Sequence, residues 1–345
     1  MYFVRVYDKI AYEVLYESRF VKMSKDKKQS CHITSIGGQA VIEGVMMRGP
    51  KESAIAVRKP DGEIIVEKKP INSFVAKYKI NKIPFVRGAF SFVESLIEGT
   101  KALMFSAEFF DIEDEEDKKK KEEMTEEELK KKEAKDKKSL NVAIYFSVVV
   151  ALVFSIGVFM MLPTFLVGLL RDYAGLESNL LTTAIEGVVR ILIFLVYIFL
   201  VSKMEDIKRV FQYHGAEHKT IFCYEAGEEL TVENVKKQKR LHPRCGTNFL
   251  ILVMIISIIL FSFISWEDKV MRIVIRLLLL PVVAGISYEL IKFAGRHTGV
   301  IVNIISAPGM WLQKITTNEP DDSQIEVAIE AMKSVLTGDK NDDKW

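Results

Sequence analysis

Four apolar stretches, residues 142–170, 184–202, 248–265 and 270–292, constrain this chain more than any other feature. As helices rising about 1.5 Å per residue, each is long enough to cross roughly 30 Å of hydrocarbon. Pro163 stands near the far end of the first. Charged residues crowd into the intervening segments, and that segregation marks a membrane protein even though the formal charge is only +2. A balanced charge carries no polyelectrolyte signal, so no nucleic-acid partner is expected and the lipid bilayer is.

Lysine and arginine near the stretches set the orientation. The segment 111–138 before the first carries 10 lysines, and the loop 203–247 carries nine lysine or arginine residues. The connection 171–183 has only Arg171, and the turn 266–269 has only Lys269. Both termini and the long loop are therefore expected in the cytoplasm. The cysteines, Cys31, Cys223 and Cys245, are odd in number and irregular in spacing, which suits a reducing compartment and no disulfide framework.

Ahead of the apolar stretches the pattern changes. Residues 1–32 read as an N-terminal extension without a signal-peptide apolar core, and Met23 is an alternative start. Short apolar runs punctuated by glycine follow from Ile36. Ala54–Arg58 and Glu63–Glu67 flank Lys59-Pro60-Asp61-Gly62, the composition of a β-hairpin. The glycine-rich run at 37–49 lacks the Gly-Lys-Ser/Thr of a phosphate-binding loop, and a turn-rich sheet edge is the plainer reading of Glu43 and Arg48. After Pro84, the residues Arg87, Ser91, Glu94, Glu98, Lys101 and Glu108 recur at helical steps as one polar stripe on an otherwise apolar helix. That helix is expected to lie in the membrane interface; a helix of a soluble N-terminal unit is the alternative. Residues 111–138 hold 13 acidic residues among 28 and build no core, so they read as a linker. At the other end, 299–313 looks interfacial. Residues 321–336 form a short helix with Asp321 to Ser323 as cap candidates, Ile325, Ile329, Met332 and Leu336 on one face, and Gly338 as a stop.

The expected fold is thus a mainly α membrane protein with about four transmembrane helices, a small N-terminal β-rich cytoplasmic cap and an interfacial amphipathic helix. Its segments are the extension 1–32, cap and interfacial helix 33–110, linker 111–139, membrane bundle 140–315 with its cytoplasmic loop 203–247, and a C-terminal cytoplasmic helix and tail 316–345.

The chemistry concentrates in His214-Gly215-Ala216-Glu217-His218, an H-x-x-E-H pattern. On a helix, His214 and His218 are four apart and share a face, where two imidazoles can bind one divalent metal, zinc above others. Glu217 beside them is the candidate general base. The pattern fixes no third ligand. Topology places His242, Cys245, Glu289 and His297 at the same cytoplasmic depth, with Glu289 about 70 residues after His218, where H-x-x-E-H peptidases keep a glutamate ligand. A hydrogen-bonded histidine–glutamate cluster without metal is the bland alternative. Cys223 and Cys31 read as ordinary buried thiols. Toward the opposite leaflet, Glu186 and Arg190 are four apart on one stretch and Arg272 and Arg276 on another; charges at that depth are expected to pair inside the bundle.

Three runs together resemble the signatures of the YqhQ-like family of bacterial membrane proteins. They are Gly37 through Gly49, His214-Gly215-Ala216-Glu217-His218-Lys219, and His242-Pro243-Arg244-Cys245-Gly246-Thr247. The likeness covers roughly residues 33–315. That family is catalogued as a domain of unknown function and described as predicted metal-dependent enzymes. The resemblance implies four spans and a bacterial inner membrane, and no particular substrate.

The functional expectation is metal-assisted hydrolysis of a membrane-proximal peptide or lipid. His214 and His218 are the ligands, Glu217 the base, and Glu289, His242 or Cys245 completes the site. A non-catalytic membrane scaffold or assembly factor with a structural His/Cys cluster is the alternative from another class, and a transporter is the third.

Overall fold

The computed structural model describes residues 32–110, 146–175, 178–263, 269–297 and 299–344. The extension with Cys31, and the charged linker, lie outside the described residues.

The chain is mainly helical, with one small sheet near its N-terminus. Four antiparallel strands, β1 (Gly37–Val41), β2 (Gly44–Arg48), β3 (Glu52–Arg58) and β4 (Ile64–Pro70), pair in sequence order, so β1 and β4 are its edges. The β3–β4 hairpin expected from Lys59-Pro60-Asp61-Gly62 is present. Gly62 takes φ +90°, and its N–H closes the turn on the Lys59 carbonyl at 2.9 Å.

A one-turn helix α1 (Phe74–Lys77) leads into α2 (Val86–Ala107). Helix α2 is amphipathic as expected, but its polar stripe faces the protein. Arg87 grips Glu289 and Arg48 spans Glu94 and Glu98, while Val86, Phe90, Val93 and Ile97 are exposed at helical spacing. The helix backs onto the later helix α8, where a side chain at Gly285 would stand 2.3 Å from the Phe85 carbonyl oxygen.

Among the described residues, three helices are long and apolar enough to cross a membrane: α3 (Phe146–Tyr173), Leu181–Val201 within α4 (Asn179–Val201), and Ile273–Arg296 within α8 (Lys269–Arg296). The sequence led us to expect about four. The remaining apolar helix, α7 (Gly246–Ser262), has 17 described residues, about 25 Å of rise. It sits among α4, α8 and α9 (Val300–Thr316), with Ile251, Leu252, Ser257 and Phe261 buried.

Inside this bundle the expected charge pairing is found. Arg276 makes two hydrogen bonds to the Glu186 carboxylate, one of them from Nη2 to Oε2 at 2.9 Å. Arg190 Nη2 adds another at 3.0 Å and Thr164 Oγ1 a fourth at 2.8 Å. Phe261 lies 5.4 Å beneath the Arg276 guanidinium. The side chain of Arg272 lies outside the described residues.

The loop 203–247 is largely helical: α5 (Glu205–Glu225) carries the H-x-x-E-H pattern, and α6 (Val232–Lys236) follows. The last helix, α10 (Asp322–Val335), begins at a capping box, with Asp321 and Gln324 answering each other's backbone. Its apolar face does more than expected of a separate tail helix. Ile325, Ala328, Met332 and Val335 pack with Val45, Met47, Ala54 and Ala56 of the sheet and with Tyr213 and Ala216 of α5. Helices α5 and α10 thus cover one sheet face. Helix α2 covers the other through Ala102, against Val41, Ile55 and Val57. One core joins segments from both ends of the sequence, because neither a four-stranded sheet nor a 14-residue helix can bury its apolar side alone.

Candidate metal centre

Helix α5 places His214 and His218 on one face, with ring centroids 4.4 Å apart. Gly215 lets this face lie close to its neighbour, because a Cβ there would sit 2.1 Å from the Asn318 carbonyl oxygen. The glycine that weakens the helix in sequence terms is what the packing requires. Lys219, one turn on and buried, donates to the Lys236 carbonyl at 3.0 Å and pairs with Glu319, which ties α5 to the segment before α10.

The third donor is Cys245. It is the N-cap of α7, accepting from the Thr247 amide at 3.5 Å and the Thr247 hydroxyl at 3.3 Å. Two buried amides position its loop. Gln313 of α9 accepts from the His242 amide at 2.7 Å and donates to the His242 carbonyl at 2.8 Å and to Asn248 Oδ1 at 3.2 Å. Asn248 in turn holds the Pro243 carbonyl. Sequence reasoning missed both residues. A polar amide inside an apolar helical stretch was the available signal for Gln313.

Donor atoms of His214, His218 and Cys245 all lie within 4.8 Å of one another, the one such group of three among the described residues. His214 Nε2 is 3.1 Å from the Cys245 sulfur. Each imidazole is anchored by its other nitrogen: His214 Nδ1 to the Thr316 carbonyl at 2.9 Å, His218 Nδ1 to the Arg240 carbonyl at 2.5 Å. A carbonyl only accepts, so both Nδ1 atoms carry the proton and both Nε2 lone pairs face the cysteine. That is the arrangement of metal-ligating histidines. Among the described residues, His218 Nε2 has no hydrogen-bond partner in its buried position, though the Cys245 sulfur is near enough to bias both groups. Burial works to raise the Cys245 thiol, but His218 and the Thr247 donors outweigh it and hold the thiol below its ordinary range. In a tetrahedral centre, with metal–nitrogen near 2.0–2.1 Å and metal–sulfur near 2.3 Å, donors stand roughly 3.3–3.6 Å apart. Three donors within 4.8 Å of one another, two of them rings anchored through Nδ1, make a set that could hold a divalent cation.

Glu217 lies beside this group without belonging to it. It is buried, and its Oε2 has no hydrogen-bond partner among the described residues. Burial pushes its carboxyl up to about 7, against the opposing pull of His214 and the Gly38 amide. A Cβ on Gly38 would come 3.0 Å from the Glu217 Cδ. The glycine-rich run and the H-x-x-E-H helix, distant in sequence, therefore meet at the candidate base. Four and eight residues upstream on α5, Tyr213 and Arg209 hold Glu43 at the β1–β2 turn, where Glu43 takes φ 47°.

The other expected ligands are placed elsewhere. His242 packs near His218, with centroids 5.5 Å apart, but its Nε2 faces Arg244 at 3.2 Å and Glu225 at 3.9 Å. Glu289 is engaged by Arg87, whose Nε donates at 2.7 Å, and by the Phe85 amide at 3.2 Å. Its carboxylate is not among the donor atoms that converge within 4.8 Å of one another. His297 stacks on Phe293 with its Nδ1 on the Phe293 carbonyl. Cys223 is a buried thiol raised to about 11 by desolvation, which suits the inert role expected of it.

Fold and site together define an apolar helical bundle carrying a sheet-and-helix cap, with a His–His–Cys cluster where the two meet. A family described as "Protein of unknown function (DUF1385)" matches residues 83–338, and the chain belongs to it. It is also 38% identical over 322 residues to the uncharacterized protein YqhQ of Bacillus subtilis (strain 168), a likeness covering 91% of this chain and 95% of that protein. No solved structure matches the chain.

Proposed function

We propose that the chain is a membrane-embedded, metal-dependent enzyme of the hydrolase type, its site at the cytoplasmic face of a bacterial inner membrane. The observation that carries this reading is the convergence of the donor atoms of His214, His218 and Cys245 beside Glu217, whose buried Oε2 has no hydrogen-bond partner among the described residues. Three protein ligands with a free fourth position are the pattern of catalytic rather than structural zinc sites. A divalent cation bound there supplies Lewis acidity toward a carbonyl or phosphoryl oxygen and lowers the pKa of water. Glu217 Oε2, with its proton affinity near neutrality, takes the proton from the attacking water and returns it to the leaving group. The backbone carbonyls of Thr316 and Arg240 hold the two rings in register throughout. The substrate class on this reading is a membrane-proximal peptide or lipid.

Metal analysis of detergent-purified protein after zinc loading tests it. Wild type is expected to hold about one zinc per chain, and His218→Ala and Cys245→Ser close to none. Glu217→Gln is expected to keep the metal. Wild type without metal, or variants that hold as much, would sink the reading. A scaffold with a structural zinc needs a closed four-ligand centre, which His242 would complete only by turning its ring away from Arg244 and Glu225. Loss of zinc in His242→Ala would therefore favour the scaffold.

Membrane placement rests on three long apolar helices, on α2 turning its apolar face outward, and on the lysine-rich flanks. In this reading α7 is a fourth, short span and both termini are cytoplasmic. Reporter fusions at Asn179 and at the C-terminus should then report opposite compartments. Both on one side of the membrane would contradict the orientation.

A further inference from the structure

The elbow that leads into α2 exposes apolar side chains among cations. From Ile71 to Val93 the sequence has no aspartate or glutamate, while Lys77, Lys79, Lys82 and Arg87 fall within it. Helix α1 folds back along α2, with Phe74 edge-on to Phe90 at 6.0 Å, and a short helical turn, Ile80–Lys82, closes the elbow. Every residue from Asn81 to Val86 is exposed, and so are Lys77, Tyr78 and Lys79. Tyr78 keeps 68% of its surface and Phe85 55%, with Ile83 between them. Large apolar side chains clustered outside in this way mark an interaction surface.

The backbone holds them there under strain. Lys79 takes φ 56° and Phe85 φ 63°, a region that bulky residues rarely adopt. Two contacts fix Phe85 in it. Its N–H donates to Glu289 Oε1 at 3.2 Å, and its carbonyl oxygen closes on Gly285 so tightly that a Cβ there would come within 2.3 Å. The elbow is thus clamped to α8, one of the long apolar helices. Beside the clamp, Lys292 of α8 stands within electrostatic reach of both Arg87 and Arg296. Glu289 is the carboxylate acting on it, and Arg87 already binds that group through two guanidinium nitrogens. Cations outnumber the acid here, so the surface favours an anion.

A free anion would leave Tyr78, Ile83 and Phe85 in water. A phospholipid with an anionic headgroup answers both features, its phosphate meeting the lysines and its acyl region covering the apolar side chains. A zwitterionic headgroup brings its own cation and gains less from the lysines. We propose that the elbow Lys77–Val86, with Lys292 of α8, is a docking surface for anionic phospholipid. This rests on the membrane placement proposed above and is independent of the metal centre. Arg48 of β2 holds the following turns of α2 through Glu94 and Glu98, so lipid docked at the elbow also fixes the cap against the bilayer.

The test uses full-length protein in nanodiscs of equal phosphatidylglycerol and phosphatidylcholine. Photoreactive benzoylphenylalanine takes the place of Phe85 in one sample and of Tyr173 in another. Tyr173, at the far end of α3, is 94% exposed and serves as the reference. Mass spectrometry of the adducts reads the headgroup ratio at each position. Position 85 is expected to capture phosphatidylglycerol over phosphatidylcholine by on the order of tenfold, and position 173 to capture both alike. Lys79→Gln, Lys82→Gln and Lys292→Gln together should bring position 85 to the ratio seen at position 173. Equal ratios at the two positions in the unsubstituted background, or a bias that survives the triple substitution, would overturn the proposal. So would crosslinks to the chain itself in place of lipid, or a bias abolished by glycerol 3-phosphate, which would mark a site for free phosphate. Should the triple variant fail to fold, the comparison of the two positions still decides. Failure of the membrane placement has a different signature: a protein that stays in solution without detergent, yet captures phosphatidylglycerol from vesicles at position 85, would retire the spans and leave the docking surface standing.

Discussion

Replacing Glu186 with leucine should destabilise the protein by about 3–5 kcal/mol, because it strands Arg190 and Arg276 in the apolar bundle without a counter-charge. Arginine cannot escape by losing its proton. Breaking a buried pair is costly because the partner left behind stays charged, while removing every member is often neutral. The combined change Glu186→Leu, Arg190→Leu and Arg276→Met should therefore recover most of the loss. Thermal unfolding in detergent reads both, and neither should alter zinc content, since the cluster and the His–Cys group lie on different elements. A Glu186→Leu protein within about 0.5 kcal/mol of wild type would show that the three residues do not act as a buried ion group.

The metal-free protein should lose stability on the order of 3 kcal/mol as pH rises from about 4.5 to about 7, with Glu217 responsible. The direction follows from its carboxyl, which burial lifts from 4.5 to about 7. Below the lower value both folded and unfolded chains hold the proton and nothing is lost. Between the two values the unfolded chain releases its proton first, so rising pH favours unfolding. Above the upper value the folded protein carries the full cost of a buried carboxylate. Glu217→Gln, neutral at every pH, should flatten this slope and make the metal-free protein more stable than wild type at pH 8. Zinc should reduce the wild-type slope, because a cation beside Glu217 favours its charged form. Denaturant unfolding at a series of pH values measures it, and parallel profiles for wild type and Glu217→Gln would refute the assignment.

These two sites were legible in the sequence to different extents. Glu186 could be paired in advance with Arg190, Arg272 or Arg276, because helical spacing and shared depth leave a charge in an apolar bundle few partners. The His214–His218 face followed from a spacing of four, and Glu217 from its place between them. The third ligand could not be chosen the same way. Depth along a bundle says which residues lie at one level, not which side of a helix they occupy. Glu289 and Cys245 share a level. Glu289 turns to Arg87, while Gln313 and Asn248 bring Cys245 to the histidines.

What the sequence alone determined is whatever local period and turn chemistry decide. That covers the long apolar helices, the hairpin at Pro60-Asp61-Gly62, the N-cap candidates from Asp321 to Ser323, and the two-histidine face. Only the tertiary structure decided which faces meet. It turned the polar stripe of α2 inward onto Arg48 and Glu289, and drew α10 from the C-terminus onto a sheet near the N-terminus. It also brought Gly38 against Glu217. The physical reason is that burial of apolar surface is non-directional. Periodicity tells a helix or strand which side to hide, but the partner that hides it is selected by fit among segments far apart in the chain.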